Sequence, residues 1–279
     1  MAYKSCLLVC VIVLSCFSIE ATRTANASIN PQGNPGEPDH CYAIVRTNDE
    51  SSTYLGASGS VSIYNPAIQG SQWSATRMRL QNGDNSIEVG WMVNEDLFKD
   101  TKTHLYVRFM VGGKGCFNVE CPGFVQVAMD VLIGKVADKI SERGKFQYGW
   151  RLSIDKRKDD GNWWVSIDND KYGIGYWPKS LFTSLADHAN QVEWGGEVYT
   201  KSSGEFVPEM GCGFNPDYNT NNAAFYSLTK LVDGGYNEID PPRSTVKYAN
   251  CPSGYTVQDM GYQGPDWGRI ILFGGPKNP

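Results

Sequence analysis

Apolar and polar residues alternate in short runs through most of this chain, and turn-forming residues separate the runs. Three clear examples are residues 86–93, 105–111 and 191–200. Alternation with a period of two is typical of a β-strand that buries one face. Only residues 180–189 have a helical pattern, with Ser180 as a candidate N-cap. The pattern therefore predicts many strands and one short helix.

Further strands are predicted where the same pattern is shorter or less regular. They are residues 42–46, 54–64, 72–80, 124–129, 146–154, 162–167, 210–214, 225–232 and 269–273. The Asn82-Gly83-Asp84 sequence is typical of a hairpin turn, and a second hairpin is predicted between 146–154 and 162–167. A chain of 279 residues with 30 glycines and 15 tyrosines, and without an internal repeat, fits a single all-β domain.

The N-terminus has the features of a secretory signal. Lys4 precedes an apolar run at residues 6–17 that is too short to span a bilayer, and Ala25-Asn26-Ala27 offers a cleavage site. We expect a signal peptide at residues 1–27, a flexible, proline-containing leader at 28–40, and the folded domain at 41–279. The mature protein is therefore expected to be secreted, with no membrane partner after signal removal.

Five of the eight cysteines follow the signal. In an oxidising compartment, an odd number leaves one thiol unpaired. Only four residues separate Cys116 from Cys121, a spacing that favours a small disulfide loop. Cys212 and Cys251 are the second predicted pair, which leaves Cys41 as the predicted unpaired thiol.

Charge and histidine content argue against two functional classes. The net charge of -5 and the pI near 5.3 are not those of a nucleic-acid-binding protein. The three histidines are scattered and no Cys-x-x-Cys motif occurs, which argues against a zinc site. We expect no metal, no cofactor and no nucleic-acid partner, and we expect a monomer.

Two glutamates lie in apolar strands next to glycines. In residues 86–93, alternation puts Glu88 and Gly90 on one face and the large apolar residues on the other. In residues 191–200, Glu197 directly follows two glycines. A glycine pair inside a strand marks a bulge or a close approach of a substrate backbone, or it simply relieves a tight bend. On the first two interpretations, both glutamates are candidate cleft residues.

Seven short segments are more specific than the strand pattern. They are I-E-V-G-W (87–91), G-C-F-N-V-E-C-P-G-F-V-Q (115–126), G-N-W-W (161–164), G-Y-W-P (175–178), L-F-x-x-L-A-D-H-A (181–189), E-W-G-G-E-V (193–198) and F-G-G-P (273–276). Together they resemble the neprosin family of plant secreted proteins, whose namesake is a glutamic prolyl endopeptidase. The resemblance runs from about Tyr42 to the C-terminus, with the segments in the family's order.

The resemblance implies an antiparallel β-sandwich of two packed, curved sheets, jelly-roll-like, with two catalytic glutamates in a long cleft. The family's motif positions fall on Glu88 and Glu197, with Glu193 as the alternative to Glu197. The resemblance also implies a disulfide in the 116–121 loop, and a proline-containing peptide or protein as substrate, cut at acidic pH outside the plant cell or in its wall. Family members commonly carry a longer activation segment where this sequence has only the leader to His40.

Two carboxylates that share a water cannot both ionise easily, so one is expected to act as a base and the other as an acid. Gln126 either positions the water or the carbonyl group, or is a polar residue on an exposed strand face. Trp91, Trp194 and Tyr199 either line an apolar groove for a proline ring or are ordinary core aromatics.

Two other functions use the same residue types. A glycoside hydrolase also needs two carboxylates across a cleft, although no tight E-x-D-x-x-E-type cluster is present. A non-catalytic protein that binds cell-wall carbohydrate would use the aromatics to stack on sugars. Substitution of Glu88 or Glu197 separates these classes, because a peptidase loses activity whereas a binding protein keeps its ligand.

Overall fold

The computed structural model describes residues 40–168, 173–200, 207–251 and 254–276, which form two antiparallel β-sheets packed face to face. The strands are β1 (His40–Arg46), β2 (Tyr54–Ser62), β3 (Trp73–Asn82), β4 (Asn85–Asn94), β5 (His104–Val111), β6 (Lys114–Phe117), β7 (Val125–Gln126), β8 (Gly149–Lys156), β9 (Trp163–Ile167), β10 (Gly175–Trp177), β11 (Gln191–Tyr199), β12 (Ala224–Asp233), β13 (Glu238–Ile239), β14 (Val246–Ala249), β15 (Thr256–Tyr262) and β16 (Arg269–Gly274). The predicted all-β sandwich is confirmed.

The seven-stranded sheet has the order β14-β1-β11-β3-β4-β5-β6. On β4, Ile87, Val89 and Trp91 enter the core between the two sheets. Glu88 alternates with them and therefore lies on the opposite side, which we call the outer face of this sheet. This is the orientation that the alternation of the sequence predicts.

The nine-stranded sheet has the order β15-β16-β12-β2-β8-β9-β10-β7, with β13 beside β12. Strands β8 and β9 form the hairpin that the sequence predicts. The core between the sheets contains four fully buried tryptophans, which are Trp91, Trp163, Trp177 and Trp194. Since each large aromatic side chain removes roughly 150–250 Å² from water, these residues contribute strongly to holding the sheets together.

Several predicted strands are shorter in the structure, and some were missed. The predicted strand at 124–129 contracts to β7, and that at 210–214 to a single bridge between Met210 and Gly275. The sequence did not predict β6, β10, β13, β14 or β15, which are short or only partly buried and so lack a clear alternation. The predicted turn at Gly83 does connect β3 and β4, and Gly83 has the expected positive φ of 57°.

The helix predicted at residues 180–189 is wrong. The segment forms two 3-10 turns, Lys179–Leu181 and Ser184–Ala186, whereas the short α-helix α1 lies at Glu95–Phe98. Thr183 donates its backbone N–H to the side chain of Asn85 (2.8 Å), and the Trp163 indole donates to the Leu185 carbonyl (2.9 Å). Because these groups bond to neighbouring strands, they are not available to a regular helix.

The disulfide between Cys116 and Cys121 is present, as predicted. The second predicted pair is wrong. Cys251 is bonded to Cys41, and Cys212 is the free cysteine among the described residues.

The pairing of β1 with β14 explains this correction. Ala43 pairs with Ala249. When this antiparallel register is extended by two residues, Cys41 lies opposite Cys251. Their Cα atoms are 5.5 Å apart, within the usual range for a disulfide. The Cys212 thiol instead lies 3.1 Å from the carbonyl oxygen of Asn222.

The glycine pair in β11 forms no bulge, because the register with both neighbouring strands is unbroken through it. A Cβ on Gly195 would lie 2.2 Å from the Ala43 carbonyl oxygen, and a Cβ on Gly196 would lie 2.5 Å from the Met210 sulfur. The close approach that the glycines permit is therefore to the protein's own β1 and core.

Two predictions at the N-terminus fall at the edge of the described residues. The predicted signal peptide and the leader as far as residue 39 lie outside them, whereas His40, predicted to end the leader, is the first residue of β1. Among the described residues, no helix has the length and apolar character needed to cross a membrane.

Candidate active site

Charged residues of alternating sign cross the outer face of the seven-stranded sheet. They belong to five neighbouring strands, pair in register from one strand to the next, and are Arg46, Glu193, Arg79, Glu88 and Arg108. The first four are buried and Arg108 is partly buried. We call this set the charge row. Each of its carboxylates has a cation as its register partner on both sides, an arrangement that favours both charges.

Glu197 lies outside the charge row, and Arg77 connects the two. The Arg77 Nη1 atom is 2.8 Å from Glu197 Oε2 and 3.8 Å from Glu88 Oε2. Its Nη2 atom donates to Glu193. Glu88 and Glu197, from distant parts of the chain, therefore meet at one guanidinium group, and each is no more than 4% exposed.

The two candidate glutamates differ in their other partners. His40 Nδ1 lies 2.7 Å from Glu197 Oε1, so both oxygens of Glu197 have a close polar partner. The single hydrogen of the Tyr106 hydroxyl is shared between the Thr76 carbonyl oxygen at 3.1 Å and Glu88 Oε1 at 3.3 Å. Arg108 Nη1 lies 3.8 Å from the same glutamate oxygen. Glu88 thus has longer contacts, which leave its oxygens more available to a water or a substrate group.

Two glycines lie opposite Arg77 in the strands on either side of it. Gly195 is its register partner on β11, so no side chain projects beside the guanidinium group from that strand. On β4, Gly90 lies between the residue pairs Ala75–Met92 and Met78–Val89. A Cβ at Gly90 would be 2.0 Å from the Thr76 carbonyl oxygen. Both glycines are needed where they stand, because a side chain at either would displace neighbouring backbone.

The electrostatics of the site favour one ionised carboxylate. Burial opposes the charge of Glu197, but the Arg77 guanidinium and the hydrogen bond from His40 outweigh it and hold the pKa of Glu197 below its usual range. Burial and the charges of Glu88 and Glu197 raise the pKa of Tyr106 well above its ordinary value, so its hydroxyl remains a donor. No group of three or more His, Cys, Asp or Glu side chains arranged to hold a metal occurs in the described part of the chain.

A carboxylate, a second carboxyl group and a phenol donor form a suitable set for acid–base chemistry on a polar bond. The Neprosin family model matches residues 70–276, about three quarters of the chain. The chain belongs to the Neprosin family. All seven segments that carry the sequence resemblance lie within the matched range, so the motifs of Glu88 and Glu197 are both included.

The structure of this Neprosin family member is also similar to solved peptidase structures. Two are scytalido-glutamic peptidase, one with a peptide-based transition state analogue and one with a transition state analogue inhibitor, each with a TM-score of 0.44. A third is SCP-B, a member of the Eqolisin family of peptidases, in complex with the tripeptide Ala-Ile-His, with a TM-score of 0.42. In each case 8% of residues are identical, and the match covers 85% of this chain and 98% of the other.

The aromatic residues predicted to line a groove divide into two groups. Trp91 and Trp194 are fully buried in the core between the sheets, on the side away from the glutamates. Tyr199 lies on the outer face, where it stacks on Trp73 with ring centroids 5.7 Å apart. His40 packs against Tyr199 at 4.8 Å. Of the three predicted aromatics, only Tyr199 is therefore near Glu197, because both contact His40.

Gln126 is not brought to the glutamates. It lies on β7, at the edge of the nine-stranded sheet. Its side-chain amide donates to the carbonyl oxygens of Ala128, Val131 and Ile174, and its side-chain oxygen accepts from the Ile133 N–H. These bonds satisfy the amide and hold the following loop, which is a structural use of the residue.

Sequence reasoning missed four residues that contact Glu88 or Glu197, namely His40, Arg77, Tyr106 and Arg108. A signal for Arg77 was present, because alternation in residues 72–80 puts Arg77 and Arg79 on the face opposite Met78 and Leu80. Two arginines on one face of an apolar strand indicate nearby carboxylates. Alternation in residues 105–111 likewise puts Tyr106 and Arg108 on one face, whereas His40 carried no comparable signal.

Proposed function

We propose that this protein is a secreted glutamic endopeptidase that hydrolyses peptide bonds after proline at acidic pH, with Glu88 and Glu197 as its catalytic pair. One observation carries the proposal. The two glutamates at the family's motif positions approach the same Arg77 Nη1 atom, at 3.8 and 2.8 Å. Membership of the Neprosin family supports the peptidase class.

We assign the role of general base to Glu197. A base must be ionised in the free enzyme, and Arg77 and His40 favour that state of Glu197. Glu197 removes a proton from a water molecule while the water oxygen bonds to the scissile carbonyl carbon. The carbonyl oxygen then carries the negative charge of a tetrahedral intermediate, which nearby donors stabilise.

We assign the role of acid to Glu88. The intermediate collapses when the bond from carbon to nitrogen breaks, and the leaving amine needs a proton at that moment. A protonated Glu88 supplies this proton. Glu197 has gained one proton from water, so the number of protons on the two glutamates is the same before and after the reaction. The Tyr106 hydroxyl donates to the Thr76 carbonyl at 3.1 Å, and its oxygen, 3.3 Å from Glu88 Oε1, accepts from the protonated carboxyl group and orients it.

The surroundings of Glu197 suggest how a proline residue is held. His40, Trp73 and Tyr199 form an aromatic group beside it on the outer face. The flat, apolar faces of such rings suit a proline ring. Since Glu88 and Glu197 are almost fully buried, a substrate has to displace the groups that cover them.

The test is a map of cleavage sites. Purified protein is incubated with a mixture of proline-containing peptides at intervals from about pH 3 to pH 7, and mass spectrometry identifies the products. The blank is Glu197→Gln, which keeps the shape of the side chain and removes its charge. We expect cuts after proline that are most abundant in acid and absent from the blank.

Other outcomes identify other functions. Cuts that avoid proline would retain the peptidase class and reject the specificity. No cuts at any pH would reject the peptidase, and binding to a glycan array would then test the carbohydrate-binding alternative. That alternative is already weakened, because Trp91 and Trp194 are buried and cannot stack on a sugar.

A further inference from the structure

Among the described residues, only Arg77 forms ion pairs with three glutamates. It contacts Glu193, Glu197 and Glu88. Its guanidinium carbon also lies 4.7 Å from the centre of the Tyr42 ring. These contacts hold the guanidinium group in place on the outer face from several directions.

The charge row shows why Glu197 depends on Arg77 more than the other glutamates do. Glu193 has Arg46 and Arg79 as register partners, and Glu88 has Arg79 and Arg108. Glu197 is paired in register with Tyr42 and Ala75, neither of which is a cation. Within the part of the chain that the structure describes, the ion pairs of Glu197 are with Arg77 and His40.

We propose, on the basis of the peptidase function above, that Arg77 is the positioning residue that orients the Glu197 carboxylate for proton abstraction, and that Glu193 anchors Arg77. The planar guanidinium group suits both tasks, because its two terminal nitrogens donate in fixed directions. One terminal nitrogen contacts Glu193, and the other contacts Glu197 and Glu88. A lysine has a single charged nitrogen and cannot hold both ends in this way.

The charged and titratable groups around Glu197 come from four neighbouring strands and from its own. They are His40 and Tyr42 on β1, Arg77 and Arg79 on β3, Glu88 on β4, Tyr106 and Arg108 on β5, and Glu193 on β11. Burial raises the pKa of Glu197, and the charge of Arg77 is the largest single cause that lowers it, followed by the hydrogen bond and charge of His40 and then by Arg108. Loss of Arg77 should therefore raise the pKa of Glu197 more than loss of Arg79 or Arg108.

The experiment compares the pH dependence of kcat/KM in Arg77→Gln, Arg77→Lys and the wild type. If Glu197 must be ionised, activity falls in acid as Glu197 gains a proton. In Arg77→Gln we expect this fall to begin about one pH unit or more higher than in the wild type. Arg77→Lys should reverse most of that shift, because it returns the positive charge. Its kcat should still be at least about tenfold below that of the wild type, because lysine lacks the two terminal nitrogens of the guanidinium group.

Arg79→Gln is the matched control. It removes a buried arginine from the same strand and the same face, but its nearest glutamate contact is with Glu193 at 3.7 Å. We expect its acid limb to coincide with that of the wild type. An equal shift in Arg79→Gln and Arg77→Gln would overturn the proposal, since a general loss of charge would then explain both.

A second variant covers the case in which Arg77→Gln does not fold, because it leaves Glu193 with less compensation. Arg77→Gln combined with Glu193→Gln removes the anchor and its partner together. The titration of Glu197 in this variant is followed by 13C NMR of labelled glutamate carboxyl groups, which needs no activity. An upward shift in the pKa of Glu197 supports the proposal, and an unchanged titration overturns it.

This readout separates the two proposals. If the wild type cuts no peptide, the peptidase function fails, whereas the effect of Arg77 on Glu197 is still measured by NMR. If the wild type cuts peptides and Arg77→Gln keeps both the kcat and the acid limb of the wild type, only the role of Arg77 fails.

Discussion

The outer faces of the two sheets each contain a shielded carboxyl group, and the two groups differ in charge preference. Glu197 on the seven-stranded sheet has a pKa below its usual range, because Arg77 and His40 outweigh burial. Asp155 lies on β8 of the nine-stranded sheet, where burial raises its pKa to about 6. One face therefore favours a carboxylate, and the other favours a neutral carboxyl group.

A direct hydrogen bond from an arginine explains the difference. Gly56 on the adjacent strand β2 is the register partner of Asp155, and Gly195 is the register partner of Arg77. Arg151 lines the same cavity as Asp155, but its guanidinium group donates to the Leu228 carbonyl and to the Ser58 hydroxyl. Arg77 donates to Glu197 itself. The hydrogen bonds of the arginine therefore decide which of the two carboxyl groups ionises more readily.

The largest expected effect is on catalysis. Glu88→Gln should lower kcat/KM for a proline-containing peptide by roughly 10²–10⁴-fold, the usual contribution of a general acid. Glu238→Gln is the control, because Glu238 is an exposed carboxylate on the nine-stranded sheet and should keep full activity. If Glu88→Gln retains more than a third of the wild-type rate with its fold intact, Glu88 has no role in the mechanism.

The second effect is on stability. Cys251→Ser breaks the bond to Cys41, which closes a sequence separation of 210 residues. We expect a loss of about 2–5 kcal/mol in the free energy of unfolding, measured with denaturant. Cys212→Ser removes only the free thiol and should cost less than about 1 kcal/mol. Equal losses in the two variants would mean that the Cys41–Cys251 bond adds little to the stability of the folded domain.

The third effect compares Gly195, on the seven-stranded sheet, with Gly56, on the nine-stranded sheet. In Gly195→Ala the new Cβ meets the backbone of β1 at 2.2 Å, and the residue has a positive φ of 151°. In Gly56→Ala the nearest atom is a side-chain oxygen of Asp155, at 2.5 Å, although the Ile154 carbonyl is at 2.9 Å. A side chain can rotate away more readily than a backbone. We expect a cost of about 3 kcal/mol for Gly195→Ala and about 1–2 kcal/mol for Gly56→Ala, and the opposite order would contradict this explanation.

The smallest effect tests the charge of Asp155. A raised pKa means that folding favours the neutral form, so this contribution to stability is complete below the ordinary value of 3.8 and is lost as the pH rises through about 6. Asp155→Asn removes the dependence. Because the side chain is partly exposed, we expect the variant to gain only about 1–2 kcal/mol over the wild type between pH 4 and pH 7 in paired denaturant titrations. A constant difference across that range would show that Asp155 keeps its ordinary pKa.

The sequence was informative wherever the cause was local. Alternation placed Glu88 opposite Ile87, Val89 and Trp91, because a strand turns successive side chains to opposite faces. The short loop of Cys116 was predicted for a similar reason, since four residues fix how far its partner can be.

Strand order and register, by contrast, depend on the whole fold. Nothing near Cys41 in the sequence indicates that β14 lies beside β1, and nothing near Arg77 shows which glutamates it meets. The helix at 180–189 was wrongly predicted for the same reason, because Thr183 and Leu185 bond to strands that are distant in the sequence. The sequence left two roles open for Gln126, and only the sheet order shows that its strand lies in the other sheet from the glutamates.

The most direct measurement is a side-by-side assay of the wild type, Glu197→Gln and Asp155→Asn on one proline-containing peptide at about pH 4, with near-UV circular dichroism to show that all three are folded. We expect the wild type and Asp155→Asn to release the same products at similar rates, and Glu197→Gln to release none above background. Full activity in folded Glu197→Gln would contradict the assignment of the catalytic base to the outer face of the seven-stranded sheet.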